Sequence, residues 1–269
     1  YKCIAGYSGN YPYRGTFDGN GHTITLDISD DAMRTALFSH VTNATFRNLN
    51  LKGTVSSSKI GMGSLIGQID GENTNVTIEN CHSSVTLKSS VNGDASMGGF
   101  VGVLDKGSTT LTFRNCRFDG SIEGSDCHSN GGFVGWTNGK ITIENSLFNP
   151  HHLSTKTDNC ELWTRNSSGN LTLINSEAYP GHYNAKYISI RNDKDWEMFR
   201  DMVTASAGNY WIDARLEADI TTGYGIGLNS DTPYRGTFIG DGHTLTVDIS
   251  RSDGKPCGLF CYVGDASIR

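Results

Sequence analysis

Proline is scarce in this chain, at five of 269 residues. No apolar run approaches the ~20 residues that a membrane-spanning helix requires. Nor does a charged start lead into an apolar stretch and a small-residue cleavage site. No membrane insertion within the chain is therefore expected. Positive charge is also short, with 22 Lys and Arg against 28 Asp and Glu and a net charge of −6. Nucleic-acid binders usually carry a basic patch, so that class is excluded. The seven cysteines include no Cys-x-x-Cys pair, which removes zinc-site spacing. Their odd number leaves at least one thiol unpaired within the chain, and the redox compartment stays open. What the chain has in excess is glycine, 33 residues, and asparagine, 22. Both tolerate left-handed turn conformations, so many tight turns are expected.

The sequence repeats on a short period. Asn75–Cys81, Thr110–Cys116, Lys140–Ser146 and Asn170–Ser176 all alternate apolar and polar residues and end in Asn-Cys or Asn-Ser. Period-two alternation reads as a strand with one buried face. A looser copy at Ala44 completes a series of asparagines, Asn48, Asn80, Asn115, Asn145 and Asn175. Boxes of the form Gly-Gly-Phe-Val-Gly precede the alternating strands at Gly98 and Gly131, with a variant at Gly63 and a decayed copy at Cys160-Glu-Leu-Trp163. Units of this length cannot bury an apolar face alone, but stacked copies can. They are also shorter than the roughly 40–45 residues of a propeller blade. The spacing therefore predicts an all-β parallel β-helix, or β-solenoid, with ~30–35-residue coils. The five asparagines form an amide ladder at one turn, and Cys81 and Cys116 stack beside it as buried structural thiols.

A second period is longer. Tyr13–Ser29 returns as Tyr234–Ser250 at a constant offset, and Leu37-Phe38 returns as Leu259-Phe260. Residues 1–186 are thus expected to form one module, and 187–269 the cap and first coil of a second, truncated copy. The chain reads as a segment of a longer tandem array, or one that a second chain completes. Between the copies, Trp196, Phe199, Met202 and Val203 fall on one face of an amphipathic helix near 193–206. Asn192 or Asp193 can cap its start, and Gly208 can end it. That helix is expected to cover the open end of the second solenoid, a cover the first copy lacks.

The motifs at Tyr13 and Tyr234, the Gly-Gly-Phe-Val-Gly boxes and the Asn-Cys/Ser turns together resemble the GLUG-type repeats of bacterial secreted and cell-surface proteins. That resemblance implies a right-handed, pectin-lyase-like parallel β-helix acting as a surface or adhesion element. It departs from the pattern where Ile239 stands in place of Asp18 and where the box at Cys160 has lost its glycines.

Candidate chemistry lies in the variable loops 88–97, 124–130 and 149–160. They carry Asp94, Asp126, His128, His151, His152 and Asp158, which would converge on one face if the coils stack. Paired acids there would suit glycoside cleavage, Asp oxygens calcium, and the two histidines a transition metal. The competing reading is a solvated loop face, and no two of these residues share a metal-motif spacing. No metal, cofactor or catalytic residue is therefore assigned. Trp136 and Trp163 both begin a Trp-Thr pair before a turn and suggest a platform for sugar rings; packing beneath neighbouring loops is the alternative. His22 and His243, each after a Gly-Asn/Asp-Gly turn, are expected to bond backbone groups. Thr77, Thr112, Thr142 and Thr172 form a file that an ice-binding surface would need, unless another face covers it.

The resulting expectation is a non-catalytic, adhesive β-helix module of a larger bacterial protein, secreted or held at the cell surface. Its ligand-binding residues would be Asp126, His128, Trp136, His151, His152, Asp158 and Trp163. Its partners would be a glycan or protein ligand and neighbouring copies of the same module. The rival is a carbohydrate-active lyase or hydrolase on the same scaffold, a choice that fold alone does not make.

Overall fold

A computed structural model describes residues 3–124, 126–155, 160–165, 170–178, 187–205, 212–231, 233–250 and 256–269. The chain is a parallel β-solenoid of about seven turns. The first coil carries β1 (Thr16–Asp18), β2 (Thr23–Ser29) and β3 (Phe38–Val41). The next begins with β4 (Ala44–Ser57), which pairs in parallel with both β1 and β2. β4 in turn pairs with Asn75–Ser89, and that strand with Thr110–Arg114, Lys140–Glu144 and Leu171–Ile174 in succession. A second sheet stacks β3, Ile66–Ile69, Val101–Leu104, Val134–Thr137 and Thr164–Arg165.

The register follows from the alternation. Phe46, Ile78, Phe113 and Ile143 stand over one another, as do Ala44, Val76, Leu111 and Ile141. All eight are buried. A slip of one residue would turn each file outward, so burial fixes the pairing. Inside the opposite sheet Phe100, Phe133 and Trp163 form an aromatic file with centroids 5.0 Å apart at each step.

The asparagine column has a backbone cause. Asn48, Asn80, Asn115, Asn145 and Asn175 all have φ between 45° and 53°, the left-handed region that Asn enters at lower cost than most residues. Their amides bond from coil to coil in two runs. Asn115 Nδ2 donates to Asn80 Oδ1 (3.0 Å), Asn80 to Asn48 (3.2 Å), and Asn48 to the Asp18 carboxylate (3.1 Å). Asn175 donates to Asn145 at 3.4 Å. Beside the ladder, the Cys81 and Cys116 thiols donate to the carbonyls of Glu79 and Arg114. Ser146 and Ser176 do the same to Glu144 and Ile174 in the following coils. Burial pushes the Cys81 thiol up to about 12 and Cys116 well above its usual value, so both stay protonated.

The glycine boxes are corners where backbones meet. A Cβ on Gly131 would stand 2.0 Å from the Val134 carbonyl oxygen, and one on Gly132 would stand 2.1 Å from that of Leu162 in the next coil. The decayed box at Cys160 still stacks. Cys160 and Glu161 pair with Asn130 and Gly131, although the register shifts between Val134 and Trp136. Glycine is dispensable there because, among the described residues, no further coil packs over Leu162, which is 45% exposed.

A second apolar cluster gathers residues 188–238 with Leu147. Its strands are Tyr187–Ile190, Asp213–Leu216, Thr237–Ile239 and Ser267–Ile268, with Ile220–Thr222 paired to Leu245–Val247. The helix α1 (Asp193–Ala205) lies among them. Asn192 Oδ1 accepts the Asp195 N–H (3.0 Å) and Asp195 Oδ2 accepts the Arg191 N–H (3.0 Å), a reciprocal cap. Trp196, Phe199, Met202 and Val203 are fully buried. The expected terminator, Gly208, lies outside the described residues.

Candidate functional site

The sheet that begins with β3 places one residue per coil in register: His40, Gln68, Val103, Trp136 and Arg165. All except Val103 are half-exposed, so the file runs along the molecular surface. At its first coils the Arg34 Nε donates to Gln68 Oε1, the Gln68 amide donates to Asp70, and Asp70 Oδ2 is 2.6 Å from His40 Nδ1. Arg34 has φ 67° and also donates to the Ile60 carbonyl. Burial draws its guanidinium pKa down, while Asp105, Asp70 and Asp94 oppose that shift.

At the far end Arg165 Nη1 reaches Asp94 Oδ2 (2.8 Å), and Ser96 Oγ donates to Asp94 Oδ1 (2.7 Å). Asp94 stands in register with His128 on the next coil. The Arg165–Asp94 pair thus crosses the coil that bears Trp136 and His128, about 10 Å at two strand spacings. In backbone register the half-exposed Trp136 stands between Val103 and Arg165, and His128 stands beside Asp94, the carboxylate that Arg165 reaches. A planar apolar face edged by fixed donors and acceptors is the arrangement that holds a pyranose ring.

Of the residues expected at a ligand surface, Trp136 and His128 belong to this face. Asp126 is exposed at the same corner, where its carbonyl accepts the Gly93 N–H. His151 and His152 are exposed but stand elsewhere. His152 is in register with Ser121, on the strand before the corner, and does not converge with Asp94 and His128. Asp158 lies outside the described residues.

Trp163 is a correction. It is 6% exposed, T-stacked on Phe133 and tilted against Phe148, so it extends the core file and not an outer platform. The shared Trp-Thr dipeptide misaligned the two tryptophans. The aromatic core file sets the register, and it matches Trp163 to Phe133 and Arg165 to Trp136. The imidazoles of His22 and His243 are likewise exposed, and it is the His22 backbone that closes the turn, donating to Gly19 O and accepting from Asn50. The His243 ring faces Asp219 at 3.4 Å.

Sequence reasoning missed Arg34, His40, Gln68, Asp70 and Arg165. Their signal was positional, since three of the five, His40, Gln68 and Arg165, share one offset from the short-strand box, but their residue types differ from coil to coil.

Three other carboxylates, Asp119, Asp18 and Asp219, are shifted by bonds within the fold. Asp119 is bonded by His82 Nε2 and Arg117 Nη2, each at 2.8 Å. Burial pushes its carboxyl up, but Arg117 and then His82 outweigh that and hold it at about 2. Asp18 and Asp219 are also displaced below the usual carboxylate range, chiefly by bonds from the Asn20 and Thr244 N–H groups. Among the described residues no cluster of three or more His, Cys, Asp or Glu is arranged to hold a metal ion. Thr16, Thr45, Thr77, Thr112, Thr142 and Thr172 form an outward file in register and are not covered. The neighbouring file is charged, however: Asp18, Arg47, Glu79, Arg114 and Glu144. No family model, curated protein or solved structure matches the chain.

Proposed function

We propose that this chain is a non-catalytic, adhesive β-helix module of a larger bacterial surface or secreted protein, and that it binds glycan on the face around Trp136. One observation carries the ligand: the half-exposed Trp136 stands in register between Val103 and Arg165, and Arg165 is paired to Asp94, the register partner of His128. The surface and bacterial assignments rest on the resemblance to GLUG-type repeats. The non-catalytic reading rests on the same resemblance.

Glycan-array screening followed by calorimetry on the strongest hit tests the reading. Trp136→Ala should weaken binding about tenfold or more, since stacking and lost contact together exceed ~1.4 kcal/mol. Binding that is indifferent to Trp136 and Arg165 would sink the assignment of this face. Release of shortened products from the same glycans would move the protein to the lyase or hydrolase class.

A further inference from the structure

The two tandem copies differ in what covers them, and the second shows what the first would accept. Their backbones correspond beyond the obvious repeat. Ala5 bridges Phe38 as Ile226 bridges Phe260, and Tyr13 bridges Val41 as Tyr234 bridges Val263. In the second copy, residues 187–205 and 212–226 lie on the upstream edge of the coil. Ala214 pairs with Phe238, and Ile220 and Thr221 pair with Leu245 and Thr246. Asp213 accepts the Thr237 N–H (2.6 Å), and Asp219 accepts the Thr244 N–H (2.7 Å). The α1 side chains close the core: Trp196 lies 5.6 Å from Phe238, and Phe199 lies 5.5 Å from Tyr234. Tyr234 is thereby fully buried and Phe238 nearly so.

In the first copy the corresponding β1 and β2 pair only with β4 among the described residues. Tyr13 and Phe17, which match Tyr234 and Phe238, are half-exposed. Thr16 and Thr23, which match Thr237 and Thr244, are exposed. Ile4 is 57% exposed, and a groove of about 400 Å³ opens between Ile4, Ile24, Leu26, Ile28 and Leu37. An open strand edge over an apolar groove is an association surface.

We propose that the upstream edge of β1 and β2 is a docking site for a strand–helix–strand segment of the same build as 187–226. Such a segment supplies strands for both edges, an aspartate for each of the Thr16 and Thr23 amides, and a helix whose aromatic face packs on Tyr13, Phe17 and Phe38, the counterparts of Tyr234, Phe238 and Phe260. The occupant is a polypeptide of this form because the molecule already shows one seated on the matching coil.

The test is to graft a second copy of residues 187–225 directly ahead of Ala5, which preserves the spacing that joins Gly225 to Ile226. Amide exchange at Thr16 and Thr23 should slow at least tenfold, and binding of an apolar dye to the chain should fall. A graft whose own copies of Trp196 and Phe199 are alanine should leave the parent chain folded by circular dichroism and lose both effects. Exchange at Thr16 and Thr23 within twofold of the ungrafted chain, with that chain folded, would overturn the proposal. So would a concentration-dependent dimer of the ungrafted chain that protects the same amides and excludes the graft, because the occupant would then be a second copy.

Discussion

Replacing Asn80 separates the two physical roles of the asparagine column. Its side chain donates to Asn48 (3.2 Å) and accepts from Asn115 (3.0 Å), and its backbone sits at φ 52°. Asn80→Gly removes the two amide bonds and leaves the backbone unstrained; at about 1 kcal/mol for each bond the loss is about 2 kcal/mol. Asn80→Ala removes the same bonds and also places a Cβ in the left-handed region, a further ~1 kcal/mol, for about 3 kcal/mol in total. Asn80→Asp keeps an acceptor for Asn115 but sets an oxygen against Asn48 Oδ1, so it should lie between wild type and alanine at low pH and fall below glycine at pH 7. Urea unfolding followed by circular dichroism measures each difference. A glycine variant within about 0.5 kcal/mol of wild type would show that the column is a by-product of turn geometry and does not hold the coils, and an alanine variant equal to glycine would show that the left-handed backbone adds no cost.

Further expectations concern acid, thiols and corners. Asp119 is held at about 2 in the folded chain against ~3.9 unfolded, so its contribution of roughly 2–3 kcal/mol is complete above pH 4 and is lost as pH falls toward 2. The stability gap between wild type and Asp119→Asn should close across that window, and a gap that stays constant from pH 5 to pH 2 refutes the linkage. Cys81 and Cys116 should resist thiol reagents in the native chain while the exposed Cys257 reacts, and equal labelling rates would contradict their burial. Cys116→Ser should cost under ~1 kcal/mol by thermal melting, because Ser146 and Ser176 already fill that position in later coils. Gly132→Ala should cost about 2 kcal/mol or more, since its Cβ would stand 2.1 Å from a carbonyl oxygen of the next coil; a neutral result would mean the corner yields.

Sequence alone determined the solenoid, the register of its alternating strands, the asparagine column and the helix between the copies. Each is periodic or local, and stacking converts a repeat in sequence directly into a file in space. Four corners carry the same Asn-Cys/Ser turn because the same left-handed backbone recurs, so the pattern was visible without coordinates. The surface file of His40, Gln68, Val103, Trp136 and Arg165 was not, because outward positions carry no common side chain and show no repeat. Trp136 and Trp163 make the contrast within one dipeptide. Their local sequence is the same, yet one indole is half-exposed and the other is in the core. Only the register imposed by Phe100 and Phe133 distinguishes them, since the energy of filling the aromatic file outweighs the local likeness.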